Sequence, residues 1–149
     1  MSTKQAVFIL NGEEYGLDIT DVNTIEKDLI VNKLANSPHN VKGKVNLRGK
    51  DIPVYSLRSK FGLEDKSQDK NTRFLIIDTD GINIALEVDQ VKGILDIEAL
   101  VVYDVSPVIV SKNTSYIKSI ANASDGLILL LDKDSLIDKE EIKALKPKN

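Results

Sequence analysis

Between Val41 and Leu57 the chain alternates with a period of two. Val41, Gly43, Val45 and Leu47 face one way, and Lys42, Lys44, Asn46 and Arg48 face the other. Three cations and an amide thus line one strand face and end at a turn glycine, Gly49. An exposed arginine there offers a planar fork to a partner's carboxylates or to the carbonyls at a helix end. Lys42 and Lys44 fit better as a solvated face that discourages edge-to-edge strand pairing. Arg48, one of three arginines, fits either reading. The return strand carries Ile52 and Val54 inward and Pro53 outward, which places it at an edge or a bulge.

Catalytic equipment is scarce. The chain has no cysteine, which excludes thiol catalysis, disulfides and cysteine-ligated zinc, and its single histidine leaves no His–His metal pair. His39 follows Pro38 in a polar stretch and reads as an exposed turn residue, without triad spacing around it. Gly43-Lys44 lacks the upstream glycine and the following Ser or Thr of a phosphate loop. Asp78-Thr79-Asp80-Gly81 starts like a calcium loop but lacks the remaining ligands, and the alternation around it marks a hairpin turn. No enzymatic activity, cofactor or metal is expected.

Composition points to strands and to surfaces. The 149 residues hold no tryptophan and few aromatics, and their apolar content is largely Ile, Val and Leu. A net charge of −3 and a pI near 5.2 argue against a broad phosphate-gripping face. No apolar run approaches the ~20 residues of a membrane span. The N-terminus shows no secretory pattern, and the acidic, cysteine-free composition suggests the cytoplasm.

The elements that position the Arg48 stripe repeat along the chain. Ala6–Leu10, Asn11-Gly12 and then Tyr15, Leu17 and Ile19 form one hairpin pattern; Phe74–Ile77, Asp80-Gly81 and Ile82 to Val88 form another. An offset of 69 residues places Gly12 on Gly81, Leu17 on Leu86, Val22 on Val91 and Ile25 on Ile94, including a shared break in alternation after Ile19 and Val88. Val41 through Val54 similarly matches Ile117 through Leu131 at a longer spacing, with a third turn at Asp125-Gly126. Two similar all-β units follow, about residues 6–63 and 72–132, each the size of a small closed barrel with about five short strands, divided by the polar stretch Glu64–Asn71. A short helix starts on Ser56 and stops at Gly62, and a C-terminal helix runs from about 135 to 146, capped by Asp134 or Ser135 and ended by Pro147. Leu136, Ile137, Ile142 and Leu145 pack one side of it on the body.

Asn46-Leu47-Arg48-Gly49, followed by Ile52-Pro53-Val54, Leu57-Arg58 and Phe61-Gly62-Leu63, resembles the CheW family of bacterial chemotaxis coupling proteins. Glu14-Tyr15-Gly16, Val22-x-x-Ile25, Pro38 before Val41-x-Gly43, Val88-Asp89-x-Val91 and Tyr116-Ile117 extend the match over nearly all of residues 1–149 as a single CheW-like domain. That extent resembles stand-alone members rather than CheA, whose similar domain is fused to catalytic domains, or CheV, which adds a receiver.

The resemblance implies an all-β fold of two SH3-like barrels and a non-enzymatic adaptor at receptor arrays beneath the membrane. Its implied partners are the cytoplasmic tip of methyl-accepting chemoreceptors and the regulatory domain of the histidine kinase CheA, whose autophosphorylation it would control. No nucleic acid or direct membrane insertion is implied. The motif match assigns receptor contact to Val22, Gly43, Asn46, Arg48, Gly49 and Ile94, in a groove between the barrels, and kinase contact to the end of the first barrel. The family's usual V-x-E-I, G-V-I-N and D-L-R read here with Thr24, Lys44 and Ser56 at the departing positions. A CheW-like scaffold of a non-chemotaxis kinase array is an alternative. A pair of small nucleic-acid-binding barrels is another, opposed by the acidic pI and the shortage of stacking aromatics.

Overall fold

The computed structural model describes residues 4–98, 100–104, 116–123 and 126–145. Twelve strands run in order: β1 (Lys4–Leu10), β2 (Glu13–Asp18), β3 (Val22–Glu26), β4 (Asn32–Lys33), β5 (Val41–Leu47), β6 (Lys50–Ser56), β7 (Arg73–Thr79), β8 (Ile82–Val88), β9 (Gln90–Asp96), β10 (Val101–Asp104), β11 (Ile117–Ala123) and β12 (Gly126–Leu131). Helix α1 (Leu57–Lys60) follows β6, and α2 (Lys133–Leu136) and α3 (Lys139–Leu145) follow β12. The hairpin turns Asn11-Gly12, Arg48-Gly49 and Asp80-Gly81 each have two residues at positive φ, between 51° and 84°. That geometry matches the right-handed twist of the flanking strands and explains the Asn-Gly and Asp-Gly pairs. Asp125, in the third expected turn, lies outside the described residues, as do Lys146 and Pro147.

The strands form two six-stranded sheets, ordered β10-β11-β12-β2-β1-β9 and β3-β7-β8-β6-β5-β4. The orders are equivalent: β1, β2 and β3 map on β7, β8 and β9, and β5, β6 and α1 map on β11, β12 and α2. Each half lends its first hairpin to the sheet built by the other half, so β1 pairs with β9 and β3 pairs with β7. Parallel contacts complete the exchange, β12 with β2 and β6 with β8. Each sheet has one strand more than the patterning reveals. The additional ones are the short edge strands; β4, with two residues, has no room for alternation.

The apolar runs need two faces to bury. Leu75 and Ile77 point into a central core between the sheets, where they meet Phe8, Leu10, Leu17 and Tyr55; Phe74 and Ile76 point the other way, into their sheet's own core with Val45, Ile52, Val54 and Ala85. The first sheet has an equivalent small core of Val7, Ala121, Ile128 and Leu130. Strands apolar on both faces therefore read as continuous runs. The repeat predicts a residue like Phe74 at position 5, but Gln5 stands there, buried, with its Oε1 lacking a hydrogen-bond partner.

Polar contacts lock the helices onto this frame. Ser56 caps α1, its Oγ accepting from the Ser59 N–H at 3.1 Å. Arg58 on α1 grips Asp89 bidentately, Nε to Oδ1 at 2.8 Å and Nη2 to Oδ2 at 2.6 Å, while Asp89 also accepts from the Asn11 N–H. Burial pushes the Asp89 carboxyl up, but Arg58 and Asn11 outweigh it and hold the group below its usual value. Phe61 lies between two tyrosines, stacked on Tyr116 with ring centroids 4.6 Å apart and tilted against Tyr15 at 5.1 Å.

The C-terminal helix differs from expectation in being broken. Asp132, not Asp134 or Ser135, caps α2. The chain then restarts at Asp138, where Asp138 Oδ1 accepts from the Glu141 N–H at 2.8 Å and Glu141 Oε1 accepts from the Asp138 N–H at 3.2 Å. That reciprocal capping box starts α3 afresh. Leu136 and Ile137 are buried in the central core, with Ile142 and Leu145 packed against it. Glu141 also accepts from Tyr55 Oη at 2.6 Å and Asn40 Nδ2 at 3.0 Å, tying α3 to β6.

Candidate docking site at the β5–β6 turn

Strand β5 buries Val41, Gly43 and Val45, but the single alternation expected along it does not hold: Val41 faces the central core, Val45 the second sheet's own core, and Lys42 is mostly buried. A register shift between Val41 and Gly43 lets the same strand serve both cores. Pro53 is not on an edge strand: β6 lies between β5 and β8. Its ladder with β8 begins at Val54, so the missing N–H falls one residue ahead of the parallel pairing.

The cationic stripe is largely neutralised within the chain. Lys42 Nζ sits 2.8 Å from Glu87 Oε1 and 3.2 Å from Asp65 Oδ1, and Lys44 pairs with Asp51 at 3.2 Å. Burial pushes the Glu87 carboxyl up, and Lys42 opposes this only in part. Side-chain exposure rises from 11% at Lys42 through 42% at Lys44 to 70% at Arg48. Arg48 is thus the most exposed cation of the three.

The turn itself is built by Asn46 and Gly49. Asn46 Oδ1 accepts from the Gly49 N–H at 3.2 Å, and Asn46 Nδ2 donates to Asp51 at 3.4 Å. Gly49 has φ +84°. Arg48 has φ +52°, a conformation suited to Asn or Asp, which occupy the same position in the other two described turns. Turn chemistry therefore does not account for an arginine at this position. Its Nη2 lies 3.4 Å from Glu26 Oε2 at the end of β3, a contact the sequence reading did not anticipate.

The remaining expected residues sit apart from the turn. Gly43 is four register pairs from the Leu47–Lys50 pair that closes the turn, and a Cβ there would run into the Asn32 carbonyl oxygen; it lets β4 lie against β5. Val22, on the same strand as Glu26, is half-buried and packs against the central core. Ile94 is 51% exposed on β9, in the other sheet. His39 is exposed and lines an open cavity of about 700 Å³ together with Phe61, Tyr116 and Glu140, which none of the six expected residues joins. Among the described residues no group of metal-ligating side chains forms.

Residues 5–141 match the CheW-like domain. The chain belongs to the CheW family. It is 31% identical to the chemotaxis protein CheW of Klebsiella aerogenes over 91% of this chain and 82% of that one, and 28% identical to that of Bacillus subtilis over 97% and 92%. The crystal structure of the scaffolding protein TtCheW from Thermoanaerobacter tengcongensis superposes with a TM-score of 0.80 at 33% identity, covering 95% of this chain and 96% of that one. As a CheW-family member the chain is a chemotaxis scaffold and not an enzyme. No helix among its described residues is long and apolar enough to cross a membrane.

The family's motif residues divide by role in this CheW-family chain. Asn46 and Gly49 shape the turn, Gly43 seats β4, and Leu57-Arg58 anchors α1 through Asp89. Ser56, a departure from the usual D-L-R, caps α1 competently. Arg48 is the motif residue whose side chain stays largely exposed, paired among the described residues with Glu26 alone, at 3.4 Å.

Proposed function

We propose that this chain couples the cytoplasmic tip of a chemoreceptor to the regulatory domain of the histidine kinase CheA, with residues 1–149 acting as one module made of subdomains at about 6–63 and 72–132. The receptor tip docks between the subdomains, on Val22, Gly43, Asn46, Arg48, Gly49 and Ile94. The module works in the cytoplasm, at receptor arrays. The observation that carries the reading is Arg48: a solvent-presented guanidinium at a turn position that prefers Asn or Asp. A fork of this kind orients a partner's carboxylates or helix-end carbonyls bidentately.

Control of the kinase then follows from differential binding. An adaptor that contacts receptor and kinase differently in their on and off arrangements shifts the balance between them. Couplings of ~1–3 kcal/mol correspond to roughly 5–150-fold changes in equilibrium. Arg48→Asn separates the docking role from the fold, because Asn is at home at φ +52°. The variant should keep its melting temperature and lose most of its affinity for a receptor-tip fragment. Unchanged affinity would defeat the assignment.

A further inference from the structure

We propose that Glu87 is an acid-released latch: its carboxylate anchors Lys42, Lys42 fastens the polar stretch between the two halves, and protonation of Glu87 loosens that stretch. Glu87 lies on β8 between Ser56 of β6 and Phe74 of β7, on the face that buries Ala85 and Phe74 in the second sheet's own core. Its Oε1 accepts from Lys42 Nζ at 2.8 Å, and its Oε2 is wholly buried without a hydrogen-bond partner. Enclosing an unpartnered carboxylate oxygen is costly, and a proton on it removes the charge that makes it so. Oε2 is therefore where the proton settles.

Besides Glu87, Lys42 Nζ donates to the Lys66 carbonyl and pairs with Asp65, both at 3.2 Å. The Asp65 side chain is 64% exposed, so water screens its hold, and Glu87 is the partner that keeps an 11% exposed ammonium in place. The neighbouring charges are committed: Arg58 of α1 grips Asp89 on β8, Lys66 pairs with Asp69, and Lys33 of β4 adds a positive charge near Asp65. Burial raises the Glu87 carboxyl, Lys42 opposes this, and the charges of Asp65 and Asp89 add to it. Burial also acts upward on Asp65 and Asp89, but hydrogen bonds from Lys42 and Arg58 outweigh it and hold both below their usual values. On acidification Glu87 takes up its proton before either of them. Lys42 then loses its buried partner, and residues 65 and 66 lose their hold on β5.

The same stretch braces a loop. Gln68 Nε2 donates to the Leu29 carbonyl at 2.7 Å, and Gln68 Oε1 accepts from the Val31 N–H at 3.3 Å, so both sides of the 78% exposed Ile30 are held. The Val31 amide thus reports on the latch from its far end. Amide exchange of the full chain, expressed as protection relative to the intrinsic rate at each pH, is the test. Val31 protection should fall roughly tenfold on acidification, the worth of one charge-assisted hydrogen bond, with a midpoint above the ~4.3 of an ordinary glutamate. Glu87→Gln, neutral at every pH, should show the low protection already at neutral pH and no step. Lys42→Met should do the same, and it carries the test if Glu87→Gln fails to fold. Asp65→Asn should keep the step. Protection that does not change with pH in the unmodified chain overturns the inference, as does a midpoint at or below ~4.3. So does a step that persists in Glu87→Gln or Lys42→Met, or one that disappears in Asp65→Asn.

Discussion

Gly43→Ala tests whether a residue in the family motif is there for contact or for packing. The added methyl would lie 2.3 Å from the Asn32 carbonyl oxygen, 2.9 Å from its carbon and 3.1 Å from Lys33 Cα. All three are backbone atoms, so no side-chain rotation relieves the clash, and β4 must retreat by about 1 Å to reach ordinary van der Waals contact. Two register pairs join β4 to β5, Asn32 with Lys44 and Lys33 with Gly43. Their loss would uncover Leu29 and Val31, which pack on the second sheet's own core. Overpacking of this kind costs about 1–3 kcal/mol, a fall of roughly 3–10 °C in melting temperature for a chain of this size. Calorimetry should show that fall, and amide exchange should speed up at Asn32 and Lys33. Gly49→Ala is the comparison: φ is +84° with open space around the new methyl, so only backbone strain of about 1 kcal/mol is expected. A Gly43→Ala chain with wild-type melting and wild-type exchange would refute the steric argument.

Gln5→Leu should stabilise the protein by about 1–2 kcal/mol in denaturant unfolding, because it removes a buried acceptor without a partner from a position where the repeat places Phe74. Glu141→Gln should destabilise by about 1–3 kcal/mol near neutral pH through loss of the charged acceptor of Tyr55 and Asn40. Burial raises the Glu141 carboxyl, but hydrogen bonds from Tyr55, Asn40 and the Asp138 N–H outweigh it and hold the group below its usual value. The unfolded chain therefore takes up that proton first on acidification. Glu141's contribution is complete above the ordinary glutamate range and is lost as pH falls through the depressed folded value. The gap between the two proteins should accordingly close in acid, and a gap constant with pH would contradict the assignment.

Local grammar made much of the fold legible. Asn11-Gly12 and Asp80-Gly81 announced their hairpins, Ser56 its helix cap, and the shared break after Ile19 and Val88 the repeat. The exchange of hairpins was hidden because alternation tells which face a residue buries and not which strand lies beside it; β3 pairs with β7 across a gap of some fifty residues. Pro53 misled for the same reason, since its neighbours β5 and β8 come from different halves. The break before α3 was readable in Asp138 and Glu141, a three-residue spacing that the continuous apolar face masked. At the candidate site, the motif found Arg48, but a strand pattern treats all cations of a stripe alike. Only the positions of Glu87, Asp65, Asp51 and Glu26 show how much of each charge remains for a partner.

Reconstitution measures the coupling claim most directly: autophosphorylation of the organism's own CheA-type kinase with its receptor-tip fragments, with and without this protein. The account predicts that adding the protein makes kinase activity depend on the receptor, by a factor within roughly 5–150-fold, and that Arg48→Asn abolishes this dependence. Kinase activity that stays the same with and without the protein, for every receptor and kinase pairing, would contradict it.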